Sequence, residues 1–325
     1  RDFSIERSVG KLISIGQYFH YAGWFFKAKF GIKNPLVNTM IIGYACDLKC
    51  KHCSIAAHID DMPGPHAMTF DFAVGKMREY FEKGARILFF EGGEPTLWRD
   101  GDKDLRDLIR AGKSMGYFVT GYTTHGTNVI FEESDVVSVS LDGTRDVHDS
   151  IRGSGVFDML MANLEKTTHP NIFANMVVMK PNLDNIRSCV ELVAKNRRIK
   201  GIMLNFITPP PYDLALTLDE KRAVVDLAVK LKKEGHPVLN TDRALRELLE
   251  EDYSTKCPYW VSAFVLPDGS EYTGCPMKGT ESCKKCGFDA VREYRLITRG
   301  NVETITGMSK RFALTKPEVS GSRFL

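Results

Sequence analysis

Residues 36–53 read LVNTMIIGYACDLKCKHC, an apolar, β-branched run that ends in cysteines at 46, 50 and 53. A run of that length and composition predicts a strand buried on both faces. Three thiols within eight residues then need an explanation. One is a structural zinc, with His52 or His58 as the fourth ligand. A second is a redox dithiol, although CKHC is not followed by the helix of a thioredoxin-like unit. The third is an iron–sulfur cluster, for which soft thiolate ligands are suited.

From residue 36 onward the sequence alternates in character. Runs of strand length recur at LVNTMIIGYA, ARILFFEGG, YFVTGYTT, VVSVSLDG, NIFANMVVMK and KGIMLNFIT. Between and after them lie amphipathic stretches of helical period, such as DFAVGKMREYFEKG, NIRSCVELVAKN and LDEKRAVVDLAVKLKKEG. Six strands alternating with helices predict an α/β fold with a parallel sheet, either a barrel or a doubly wound sheet. Neither GxGxxG nor a P-loop is present, so nothing supports a nucleotide-binding doubly wound fold. Past residue 240 the alternation stops. CPYWVSAFVLPDGSEYTGCP (257–276) reads as a hairpin, with PDG at its turn and a cysteine near each foot. The expected division is a lead segment (1–35), a barrel (36–240) and a C-terminal cysteine-rich domain with its tail (241–325).

Composition limits the alternatives. The 325 residues carry a net charge of only +3, so no global field points to nucleic acid. No apolar run reaches membrane-spanning length, and the first residues lack the pattern of a signal peptide. Seven of the eight cysteines fall into two tight groups, 46/50/53 and 257/275/283/286, while Cys189 stands alone in a helical stretch. Such grouping reads as metal ligation in a reducing compartment rather than a disulfide framework. The protein is expected to be cytoplasmic.

The C-x3-C-x2-C spacing directly after a first strand resembles the signature of the radical S-adenosylmethionine (SAM) superfamily. The second strand strengthens the likeness, because it ends in Glu91-Gly92-Gly93-Glu94-Pro95. Barrel active sites lie at the C-terminal ends of strands. Superfamily members carry a GGEP run there, and with the cysteine motif one strand upstream it sets zinc aside. The resemblance implies a partial (β/α)6 TIM-type barrel. It implies a [4Fe–4S] cluster on Cys46, Cys50 and Cys53, with one iron left for SAM. His52 replaces the usual aromatic residue near the adenine, and Gly92, Gly93 and Glu94 would receive the SAM amino group. Ser138 and Ser140 in VSVSLDG resemble the ribose- and substrate-facing strand. Arg152 in HDSIRG would pair with the SAM carboxylate. Asn175 and Asn205 are weaker candidates, for which a structural partner is as fitting a role.

Cys257, Cys275, Cys283 and Cys286 resemble a twitch or SPASM auxiliary-cluster domain, which implies a second, auxiliary [4Fe–4S] cluster. A structural zinc on the same four thiolates is the alternative. The ordering of segments is similar to adenosylhopane synthase and related lipid-modifying radical SAM enzymes. That likeness implies an isoprenoid or lipid-like substrate and a low-potential electron donor such as ferredoxin or flavodoxin. A maturase acting on a peptide or protein is the alternative, and a non-catalytic zinc-binding protein is the alternative of another class. The aromatic lead segment SIGQYFHYAGWFFKAKFG, basic at its end, either packs on the barrel or makes peripheral membrane contact.

Overall fold

The computed structural model describes residues 15–53, 55 and 64–312; His58 and the two chain ends lie outside them. All six expected strands form: β1 (Val37–Gly43), β2 (Ile87–Gly92), β3 (Val119–Thr124), β4 (Val136–Ser140), β5 (Ile172–Val178) and β6 (Ile199–Phe206). Each pairs in parallel with the next. Helix α1 (Ile15–Lys29) precedes them. Between and after them run α2 (Phe70–Glu82), α3 (Leu105–Met115), α4 (Arg145–Arg152), α5 (Val156–Lys166), α6 (Ile186–Lys195) and α7 (Leu218–Lys233). Local sequence fixes the helix ends. Thr217 and Glu220 satisfy each other's backbone N–H groups at the start of α7, and Gly116 closes α3 in the left-handed conformation, φ 98°.

The strands alternate. Leu88 and Phe90, Val137 and Val139, and Met176 and Val178 are fully buried in the core shared with the helices. The opposite face of each strand looks into a lumen. At the strand starts that lumen is filled by Val119, Val136 and Phe173, with Phe89 and Leu239 packed on them. Polar side chains replace the apolar ones toward the strand ends.

An open barrel has two free edges, and the chain after α7 covers both. The hairpin expected at 257–276 forms as β7 (Ser262–Val265) and β8 (Glu271–Thr273), with Leu266 N–H donating to Ser270 O across its turn. Rather than standing apart, β7 pairs in parallel with β1 and extends the same sheet to eight strands, in the order β8-β7-β1-β2-β3-β4-β5-β6. The remaining helices are α8 (Asp242–Glu247), α9 (Glu281–Lys284), α10 (Asp289–Thr298) and α11 (Val302–Phe312). The β6 edge is satisfied without another strand of length. Ile202 exchanges backbone bonds with Pro237 and Leu239, and Phe206 N–H donates to Gly287 O. Asn240, fully buried, completes the ladder with its side chain, which accepts from Leu204 N and donates to Leu204 O, both at 2.9 Å. Such cover removes the hazard of an exposed edge.

Helix α1 packs Trp24, Tyr21 and Phe25 against Leu36, Val37, Ile87, Val261 and Trp260, at the strand-start end of the barrel. Its other face leaves Ile15, Tyr18, Phe19 and Phe26 exposed. Among the described residues, no helix is long and apolar enough to cross a membrane.

Asn240→Ala should destabilise the fold by about 1–3 kcal/mol, because it strands a buried N–H and C=O of β6. Chemical denaturation of the variant against the parent protein reads this directly.

Candidate cluster-binding site

The cysteine loop leaves the C-terminal end of β1 and is held by the end of β2. Gly93 N–H donates to Gly43 O at 2.9 Å, and Glu94 N–H to Ala45 O at 2.8 Å. Only glycine permits so close an approach. A Cβ on Gly92, whose φ is 152°, would stand 2.2 Å from Gly43 O; one on Gly93 would stand 2.3 Å from Tyr44 O and 2.4 Å from Ala45 O. The sequence reading gave these glycines to the approach of a ligand. What fills the space is the backbone that carries Cys46.

Glu94, buried, is a hub for that junction. Its carboxylate accepts from Thr96 N at 3.0 Å, Thr96 Oγ1 at 2.7 Å, Thr124 Oγ1 at 2.8 Å and His125 N at 3.0 Å. His125 Nδ1 accepts from Thr127 N, so Nε2 carries the ring proton. That Nε2 lies 2.8 Å from Asp47 Oδ1 and 3.2 Å from Glu94 Oε2, and it ties the cysteine loop to the end of β3. Sequence reasoning missed Thr124 and His125. Their signal was available, since TTHG ends a strand at the same end of the barrel.

On the other side of the loop stands a buried ion pair. Arg152 Nε donates to Asp142 Oδ2 at 2.7 Å, and Arg152 Nη1 reaches Cys50 Sγ at 3.8 Å. Burial pushes the Asp142 carboxyl up, but Arg152, His52 and the Val177 N–H together hold it below its usual value. His52 Nε2 is 4.0 Å from Asp142 Oδ2. Burial, which outweighs the neighbouring carboxylate, lowers the His52 ring to about 4, so it is neutral near pH 7. His148, at 0% exposure, accepts from Asp142 N through Nδ1 and is likewise lowered to about 4, first by burial and then by Arg152. The sequence placed Arg152 against a ligand carboxylate; the structure engages its Nε in holding Asp142.

Ser138 and Ser140 share the lumen face of β4, and Ser140 stands level with Asn175 of β5. Asn205 Nδ2 donates to Asn175 Oδ1 at 2.6 Å, and Asn205 Oδ1 accepts from Asp289 N at 2.7 Å. The two asparagines therefore have structural partners, and they link the lumen to the start of α10.

Burial disfavours the bare thiolate at several of the grouped cysteines. Burial raises Cys46 to about 11, Cys257 to about 12 and Cys275 to about 11, and the other thiols of each group add to the rise. Thiolates grouped this way need a cationic centre to remain ionised. Among the described residues, the one set of three ligating side chains within 4.8 Å of each other is Cys46, Asp47 and His125. The second group gathers beside Arg292, which is fully buried and donates to Cys286 Sγ at 3.3 Å and Cys286 O at 2.7 Å.

Residues 40–193 match the model of the radical SAM superfamily, over a span that holds the end of β1, all of β2–β5 and the first three cysteines. The chain carries a radical SAM domain. The protein is an enzyme, and the domain implies a [4Fe–4S] cluster and SAM. Similar folds occur in SuiB of Streptococcus suis bound to S-adenosylmethionine, at 16% identity, a TM-score of 0.59 and coverage of 90% of this chain and 72% of that one. The same protein bound to its precursor peptide SuiA matches at 15% identity and TM-score 0.59, covering 85% and 68%. anSMEcpe with bound AdoMet and the Kp18Cys peptide matches at 18% identity and TM-score 0.59, covering 83% and 82%. At these identities the likeness is one of fold. No match was found among curated protein sequences.

Two outcomes follow for the radical SAM domain. Gly93→Ala should displace the Cys46 loop, so that anaerobically reconstituted protein binds less iron while its far-ultraviolet circular dichroism stays that of the parent. Stability should also fall as pH drops from about 6.5 toward 4. His52 and His148 have folded-state values near 4, below the unfolded 6.5, so protons bind the unfolded chain first in that window. Denaturation at pH 7.5, 6.5 and 5.5 reads the slope, and His148→Gln should flatten part of it.

Proposed function

We propose that the protein reductively cleaves S-adenosylmethionine and uses the 5′-deoxyadenosyl radical to modify an unactivated carbon. The observation that carries the reading is the three-thiol loop, pinned by Gly92 and Gly93 at the C-terminal mouth of the barrel. Cys46, Cys50 and Cys53 would hold three irons of the cluster. When bound, the cluster and SAM supply the low-potential electron and the radical precursor. The protein's own residues bind, orient and exclude water. Glu94 and the adjacent backbone would take the amino group of SAM, and Arg152 its carboxylate. His52 offers a flat, neutral ring for the adenine, while Ser138, Ser140 and Asn175 face the ribose and substrate. A ferredoxin or flavodoxin would deliver the electron.

Cys257, Cys275, Cys283 and Cys286 would hold an auxiliary [4Fe–4S] cluster in a twitch- or SPASM-like segment beginning near residue 241. Four thiolates leave no iron free for substrate, so this centre would serve structure or electron transfer. The buried guanidinium of Arg292 donates to Cys286 Sγ at the edge of this group.

The order of segments supports an isoprenoid or lipid-like substrate. Contact of the exposed α1 face with a bilayer would not feed the site directly, because α1 packs at the strand starts and the cysteine loop lies at the strand ends. A peptide substrate is the second reading. It is favoured by the polar lumen of Glu91, Ser138, Ser140, Asn175 and Asn205, which suits hydrogen-bonding groups better than a hydrocarbon chain.

Replacing Cys46, Cys50 and Cys53 together with Ala should abolish 5′-deoxyadenosine formation in the presence of SAM and dithionite, as read by chromatography. Retention of that product in the triple variant would overturn the assignment. Mass spectrometry of organic and peptide fractions after anaerobic reaction with cell extract separates the two substrate readings.

A further inference from the structure

The lumen holds one carboxylate that the cofactor-binding residues do not account for. Glu91 is the last residue before Gly92 on β2. Leu88 and Phe90 face the helices and are fully buried, so Phe89 and Glu91 fall on the lumen face. Phe89 closes the lumen below, its ring lying where a side chain on Gly121 would have to go. Glu91 stands one step higher, level with Ile41 of β1 and directly under the glycine pair that pins the cysteine loop. The C-terminal segment overlies it from the open side. Cys275 and the Tyr294 ring of α10 both sense its charge.

Nothing within the described protein answers that charge. Glu94, three residues on, has four donors on its carboxylate, and Asp142 has Arg152 and the Val177 N–H. Glu91 makes no hydrogen bond and no ion pair with any described residue. Desolvation alone raises its carboxyl to about 7, with no cation offsetting it. Holding a partly buried carboxylate unpartnered against apolar walls costs free energy that a leucine would not. A side chain of this kind, open to the lumen at the level of the cofactor loop, fits a ligand that brings the missing donor.

We propose that Glu91 is the substrate-recognition residue of this enzyme, accepting a hydrogen bond from an ammonium or hydroxyl group carried next to the carbon that reacts. The proposal rests on the radical SAM reading of the same site and narrows its substrate. The part that enters the lumen is a donor-bearing segment, such as an amine-containing side chain or the hydroxyl end of a lipid, and not a bare hydrocarbon. Neutral and cationic donors share the chemistry and differ in what a carboxamide can replace. Gln keeps an acceptor oxygen and removes the charge, whereas Leu removes both.

The test uses the reconstituted holoenzyme with SAM, dithionite and total cell extract as the probe. One portion of the extract is left untreated. A second is capped at amines with sulfo-N-hydroxysuccinimide acetate, and a third at amines and hydroxyls with acetic anhydride. The readout is the ratio of new product, by mass spectrometry, to 5′-deoxyadenosine. A misfolded variant lowers both quantities, while lost recognition lowers the ratio. Glu91→Leu should lower it about tenfold or more, the expected effect of losing a hydrogen bond to a charged group. If the donor is an ammonium, amine capping abolishes product and Glu91→Gln behaves like Glu91→Leu. If it is a hydroxyl, only acetic anhydride abolishes product and Glu91→Gln retains most of the ratio. An unchanged ratio in Glu91→Leu, or product surviving in both capped extracts, overturns the proposal. Absence of 5′-deoxyadenosine from the parent enzyme would instead overturn the radical SAM reading beneath it.

Discussion

The contact on which the site depends is between two pieces of backbone. The carbonyls of Gly43, Tyr44 and Ala45 run so close to Gly92 and Gly93 that no side chain fits between them. Two backbone hydrogen bonds fasten the strand end to the loop, and Glu94 then gathers Thr96, Thr124 and His125 around the same junction. The thiols of the first group are therefore positioned by three strand ends at once. A loop fixed in this way loses little entropy when it takes up a centre, which is how a protein presents soft ligands in advance of binding.

A second constraint is the open seam of the barrel. Six parallel strands leave β1 and β6 with unpaired backbone groups, and the chain after α7 answers both. Its hairpin extends the sheet beyond β1, and its later part caps β6 through Gly287 and the Asn205–Asp289 bond. Cys275 follows the first closure and Cys286 immediately precedes the second.

Charge is distributed unevenly around the lumen mouth. Asp142 and Arg152 neutralise one another beside Cys50, and burial keeps His52 and His148 uncharged. Against that balanced wall, Glu91 stands alone across the lumen. The contrast separates groups that build the site from a group left for something else to meet.

Much of this was legible in the sequence. The six strands and the helices that alternate with them follow from apolar runs and helical period, which depend on local order alone. The hairpin at 257–276 was equally local, since PDG makes its own turn. The spacing of Cys46, Cys50 and Cys53, with Gly92-Gly93-Glu94 one strand later, placed the site at the strand ends. Pairing across the fold was not legible. That β7 would lie parallel to β1, that Gly93 would make room for the loop bearing Cys46, and that Asn205 would reach Asp289 are contacts between residues from about 50 to over 200 positions apart. Period and spacing say which face a residue takes; they do not say which other segment meets that face. Thr124 and His125 became site residues, and Glu91 an unanswered charge, only when three-dimensional packing set their neighbours.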